Sequence, residues 1–76
     1  DYGEAWYGCG VSLERLRRYE EAIAAYDRAI GLQPNKYEAW YNRGNLLAAL
    51  NQPQEAIASL GKAVQIQQGL LQASAS

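Results

Sequence analysis

The chain has 76 residues, 49% hydrophobic and 20% charged, with 7 Lys and Arg against 8 Asp and Glu for a formal net charge of -1. That length holds at most one small domain, which buries only about 60% of the surface its unfolded chain exposes. So balanced a charge excludes the basic field that gathers phosphates, so neither nucleic acid nor an anionic membrane surface is an expected partner, and no apolar run nears the roughly 20 residues a bilayer span needs.

The first helix is predicted over residues 3 to 16, where Trp6, Cys9, Gly10, Leu13 and Leu16 recur at helical spacing as a packing stripe. The stretch RLRRYEE then makes a short turn and carries Glu20 and Glu21 into the first turn of a second helix, residues 19 to 32, where the helix dipole favours acids. Its stripe is Ala22, Ile23, Tyr26, Ala29 and Ile30. Pro34 closes that helix, because it disfavours helical geometry in Gln33 and has no amide proton to continue the ladder. A third helix is predicted over residues 37 to 50. Asn51 tolerates a left-handed stop there, and Pro53 suits the first position of a fourth helix over 53 to 68 or beyond. Turns this short make successive helices antiparallel.

Glu4 to Tyr7 reappear as Glu38 to Tyr41, an offset of 34 residues. In the same register Gly10 falls on Gly44, Leu13 on Leu47, Leu16 on Leu50, Glu21 to Ala24 on Glu55 to Ala58, and Ala29 on Ala63. A fixed period of this size marks stacked helical units that cannot bury their apolar faces alone. Within a unit, Gly10 and Gly44 are expected to let two backbones close, against flat surfaces made by Ala22 and Ala29 in one unit and Ala56 and Ala63 in the other. Trp6 and Trp40 fill the wedge beside them.

These residues resemble the tetratricopeptide repeat, a 34-residue pattern of W-x2-L-G-x2-Y with a later A-x3-F and a closing proline. The first unit carries it on Trp6, Gly10, Ala22, Ala29 and Pro34, with Tyr26 in the later aromatic slot, Cys9 for the usual leucine and Leu13 for the usual tyrosine. The second carries Trp40, Gly44, Ala56 and Ala63, with Arg43 in the leucine slot, Leu60 in the aromatic slot and Gln68 where proline closes the pattern. The resemblance implies an all-α fold: two helix-turn-helix units, residues 3–36 and 37–70, in a short right-handed α-solenoid segment. Residues 71–76 are then a frayed tail or an extension of the last helix. The chain starts at Asp1 in mid-phrase and contains no methionine, which points to a piece of a longer protein.

Catalytic chemistry finds no footing. There is no histidine, and a single Cys9 can form neither an internal disulfide nor a zinc site, so no metal, no other cofactor and no enzymatic role are expected. A reducing, cytoplasmic compartment fits that cysteine count best. What remains is a surface opposite the packing stripe, with Glu4, Tyr7, Gly8, Val11 and Glu14 on the first helix and Glu38, Tyr41, Asn42, Asn45 and Ala48 on the third. The resemblance implies that this face lines a concave groove for an extended peptide or helix, with Tyr7, Val11, Tyr41, Asn42 and Asn45 as contacts. The alternative is that the tyrosines pack between helices and the asparagines are simply solvated. Of the two-carboxylate clamp and the asparagine ladder seen in some relatives, only the Asn42 position is present. A protein or peptide partner is therefore expected. So is end-to-end stacking or homo-oligomerisation, because Val64, Ile66, and Leu70 or Leu71 would lack the next unit that covers them.

Overall fold

A computed structural model describes the backbone of residues 2–75 and the side chains of residues 2–72. Four helices follow in order: α1 (Tyr2–Arg15), α2 (Tyr19–Leu32), α3 (Tyr37–Ala49) and α4 (Pro53–Ala75). α1 packs on α2, α3 on α4, and α2 on α3, so two helical hairpins stack side by side as a short α-solenoid segment.

Both hairpin turns are built alike. Arg17 and Asn51, at equivalent places in the repeat, take left-handed backbone conformations with φ of 62° and 61°. At the first turn the Arg18 amide donates to the Leu13 carbonyl at 2.9 Å and the Arg17 amide to the Glu14 carbonyl at 3.0 Å; at the second, Gln52 donates to Leu47 at 2.9 Å and Asn51 to Ala48 at 3.1 Å. These paired bonds are the Schellman closure, which satisfies carbonyls a helix end would otherwise orphan. Asparagine tolerates that conformation, whereas an arginine there strains its Cβ against the following carbonyl by about 1 kcal/mol. At the far end of α2 the Gln33 amide donates to Ala29 at 2.8 Å and Pro34 follows. α4 begins at Pro53 and, lacking a proline at Gln68, runs on through Gly69 to Ala75. Ser76, the last residue of the expected tail, lies outside the described residues.

The core is thin and made mostly of small residues. Ala22, Tyr26 and Ala29 of α2 meet Ala39 and Leu46 of α3, with Trp6, Val11, Leu13, Ile23 and Ile30 half-buried against them. Leu47, Ala56 and Ala63 are buried between α3 and α4. Two members of the expected α1 stripe are not packed: Cys9 is exposed and Leu16 is 65% exposed. Their repeat equivalents, Arg43 and Leu50, are half-buried because α3 has α2 on that side, whereas among the described residues nothing lies on the corresponding side of α1.

The two repeated glycines are required for different reasons. A Cβ on Gly10 would stand 2.5 Å from the Tyr26 ring, while one on Gly44 would meet the Leu60 side chain at 2.7 Å and the Ala56 carbonyl oxygen at 3.2 Å. The expected close approach of backbones is therefore found at Gly44; at Gly10 the glycine makes room for an aromatic ring. Gly8, two residues away on the exposed side of α1, has no such neighbour within 4 Å. Alanine at either position gains about 1 kcal/mol in helix propensity. Gly8→Ala should accordingly raise the unfolding free energy by about 0.5–1 kcal/mol. Gly10→Ala should lower it by about 1–3 kcal/mol through overpacking. Urea unfolding followed by circular dichroism measures both, and shifts of the same sign would refute this account of Gly10.

Candidate functional site

The face shared by α1 and α3 is organised by one buried ring. Tyr26 of α2 is fully buried, and its hydroxyl emerges between α1 and α3, where it donates to Oε1 of Glu14 at 2.8 Å and accepts from Nδ2 of Asn42 at 3.3 Å. The same Asn42 amide nitrogen reaches the Tyr7 hydroxyl at 3.2 Å. Glu14, Tyr26, Asn42 and Tyr7 thus form a polar chain linking the first three helices. Burial, and then the hydrogen bond to Glu14, hold the Tyr26 hydroxyl well above the usual tyrosine value of about 10.

A second anchor sits at the N-terminal ends of α1 and α3. Lys36, which precedes α3, donates to Oε1 of Glu4, and its ammonium stands 4.8 Å from the centroid of the Tyr7 ring. The bond to Glu4 raises the Lys36 pKa above the ordinary lysine value. Beside this pair lies an open depression of about 400 Å³ lined by Glu4, Gln33, Pro34, Asn35, Lys36 and Glu38. Trp40 borders the same loop, donating its indole N–H to the Pro34 carbonyl at 3.0 Å.

The five candidate contact residues fall into two groups. Tyr7 is half-buried, its ring 5.8 Å from that of Tyr26 and inclined at 44°, and Val11 is half-buried against the core. Asn42 is occupied by the two tyrosine hydroxyls. By contrast Tyr41 is 53% exposed, and Asn45, one turn further along α3, is exposed as well. Tyr7 and Tyr41 hold the same slot in the repeat but do not form a uniform ladder: the ring partner of Tyr7 is Tyr26, and Tyr41 stands in solvent.

Arg43 has a role that the sequence reading did not assign. Its Nε donates to Oδ1 of Asp27 on α2 at 2.6 Å, and its Nη1 donates to Oγ of Ser59 on α4 at 2.5 Å. Ser59 is completely buried, so this bond satisfies a hydroxyl that would otherwise be left dry. An arginine in an apolar slot, together with a serine on an otherwise apolar helix face, was the available signal. Among the described residues, no group of three or more His, Cys, Asp or Glu is placed to hold a metal ion, and no helix is long and apolar enough to cross a membrane.

The chain thus forms four helices in two stacked hairpins with matching turns. The tetratricopeptide repeat profile matches residues 1–37 and residues 10–70. The chain belongs to the tetratricopeptide repeat family. A search of the curated proteins finds no match. Among solved structures, the crystal structure of MamA is similar to this repeat pair with a TM-score of 0.92 at 22% sequence identity, over 93% of this chain. The chain spans 42% of that protein's length, and the likeness is one of fold. In tetratricopeptide terms, α1 and α3 are the first helices of two units, and the polar chain through Tyr26 and Asn42 joins one unit to the next.

The raised Tyr26 pKa has a consequence for stability. A group whose folded pKa lies above its unfolded value contributes stability that is fully present below the unfolded pKa and is lost as pH rises through the folded one. The repeat pair should therefore lose stability as pH climbs above about 10, where the tyrosine of the unfolded chain ionises first. Tyr26→Phe should remove part of that slope and, by breaking the bond to the Glu14 carboxylate, lower stability at neutral pH by about 1–2 kcal/mol. Urea unfolding of both proteins on either side of pH 10 tests the pair of effects; an unchanged slope in the variant contradicts the assignment.

Proposed function

We propose that the chain is a protein-interaction module that docks an extended peptide or a helix on the concave face of α1 and α3, as a segment of a longer repeat array. Tetratricopeptide repeats generally mediate contacts between proteins, which supports the class of function. The observation that carries the site is the contrast between a held floor and an offered ring. Tyr7 and Asn42 are tied down by Tyr26 and Lys36, while Tyr41 stands 53% exposed one turn from Asn45. An exposed, amphipathic ring loses little side-chain entropy when covered, and an asparagine amide pairs with the donor and the acceptor of a peptide backbone at once. In this reading Tyr41 and Asn45 touch the partner, Tyr7 and Val11 form the floor beneath it, and Asn42 positions the floor. The unpaired, exposed Cys9 suits a reducing compartment such as the cytoplasm.

A second reading, self-association through the ends of the helical stack, is favoured by Ile57 and Val64, which α4 leaves 70% and 50% exposed.

A displayed peptide library selected on the wild-type chain tests the first reading. Recovered peptides should bind Tyr41→Ala or Asn45→Ala about tenfold more weakly, by fluorescence anisotropy, with helicity unchanged. Failure to enrich any peptide, or binding indifferent to both substitutions, would sink it.

A further inference from the structure

The first unit holds a cation on its groove face, and the second repeats the holder without the cation. In the first, the Lys36 side chain is only 11% exposed; its ammonium donates to Oε1 of Glu4 and stands 4.8 Å from the centroid of the Tyr7 ring. A carboxylate and the electron-rich face of an aromatic ring, one turn apart on α1, together cage a positive charge. In the 34-residue register, Glu4 and Tyr7 fall on Glu38 and Tyr41 of α3, again one turn apart. Lys36 falls on Leu70.

The difference arises inside the chain. After α2 the Lys36 amide donates to the Gln33 carbonyl at 3.0 Å, and the turn so formed around Pro34 delivers the lysine to Glu4 and Tyr7. With Gln68 in place of that proline, α4 continues as helix, and Leu70 lines a depression with Asn35, Gln65, Ile66 and Gly69. Glu38 borders the larger depression beside Lys36 and favours the charge on that lysine, but the bond of Lys36 is made to Glu4. Among the described residues, no lysine or arginine is bonded to Glu38 or lies over the Tyr41 ring, which is 53% exposed.

We propose that Glu38 and Tyr41 take a lysine or arginine side chain of the docked partner, whose charge rests over the Tyr41 ring and against the Glu38 carboxylate as Lys36 rests over Tyr7 and against Glu4. The assignment rests on the docking reading and adds the chemistry of the side chain that meets Tyr41. Glu38, Tyr41 and Asn45 follow at spacings of 3 and 4 residues along one face of α3, so the cation is held at one end of the row while the Asn45 amide pairs with the partner's backbone beyond it. Either cation suits the ring, an ammonium as a point charge and a guanidinium by stacking flat. Glu14, the remaining carboxylate of the groove face, does not offer the same place: it accepts the Tyr26 hydroxyl, and the exposed Arg15 follows it on α1.

Peptides selected from the displayed library on the wild-type chain test the proposal. They should share a lysine or arginine at one aligned position. Exchanging that residue for norleucine, which keeps an apolar stem and removes the charge, should weaken binding to wild type about tenfold and to Glu38→Gln by about twofold or less, read by fluorescence anisotropy. Added salt should weaken the wild-type complex more than the Glu38→Gln complex. If Glu38→Gln loses helicity by circular dichroism, Tyr41→Leu, at an exposed position, takes its place in the comparison. Peptides that depend on Tyr41 yet share no cation, or a norleucine effect of the same size in wild type and variant, overturn the cationic site and leave the docking reading standing. No enriched peptide, or binding indifferent to Tyr41, overturns both.

Discussion

The seating of the Tyr26 ring against Gly10 is the contact on which the rest of the structure depends. A side chain at Gly10 would occupy the space of the ring, and without the ring in that space its hydroxyl would not reach Glu14 and Asn42. One residue of α2 thereby fastens α1, through glycine and Glu14, and α3, through Asn42. In a core built chiefly of alanine, where each side chain buries little apolar area, a single aromatic ring supplies a large share of the burial together with the orientation of its neighbours. Hydrogen bonds made to a charged carboxylate in a partly buried place are stronger than neutral ones, which further concentrates the organisation of the stack at this point.

The second unit solves the same packing problem differently. Leu60 stands where Tyr26 stands in the first, so the ring and its hydroxyl are both missing, and Gly44 closes against Leu60 and the Ala56 carbonyl instead. The polar tie is supplied from another position: Arg43 spans from Asp27 on α2 to the buried hydroxyl of Ser59 on α4. Besides the Lys36–Glu4 pair, each unit thus has a polar device across its helices, anchored on α2 in the first and on α3 in the second. The two devices share α2 and α3, so both polar ties cross the α2–α3 interface.

That concentration leaves the periphery open. The groove face has a rigid part near Tyr7, held by Lys36, Tyr26 and Asn42, and an accessible part at Tyr41 and Asn45. For the proposed docking, a pre-ordered floor beside an exposed ring lowers the ordering cost of an extended partner.

The sequence by itself determined the helices, their order and their pairing. Apolar spacing is a local property, the stops at Asn51 and Pro34 act on their own backbone, and a repeated EAWY phrase imposes the same local solution twice. The predicted spans fall within about a residue of the observed ones up to the end of α3. What the tertiary structure alone decided is which member of each equivalent pair is covered. Cys9 and Leu16 belong to the same periodic stripe as Arg43 and Leu50, yet only the latter have a helix against them. Tyr7 and Tyr41 share a slot, but only Tyr7 has Tyr26 and Lys36 beside it. Asn42, read from sequence as a ligand contact or a solvated amide, is turned to the two tyrosine hydroxyls instead. Periodicity assigns a residue to a face of its own helix; burial and hydrogen bonding depend on what stands opposite that face, and residues 16 to 35 positions away in the chain supply it.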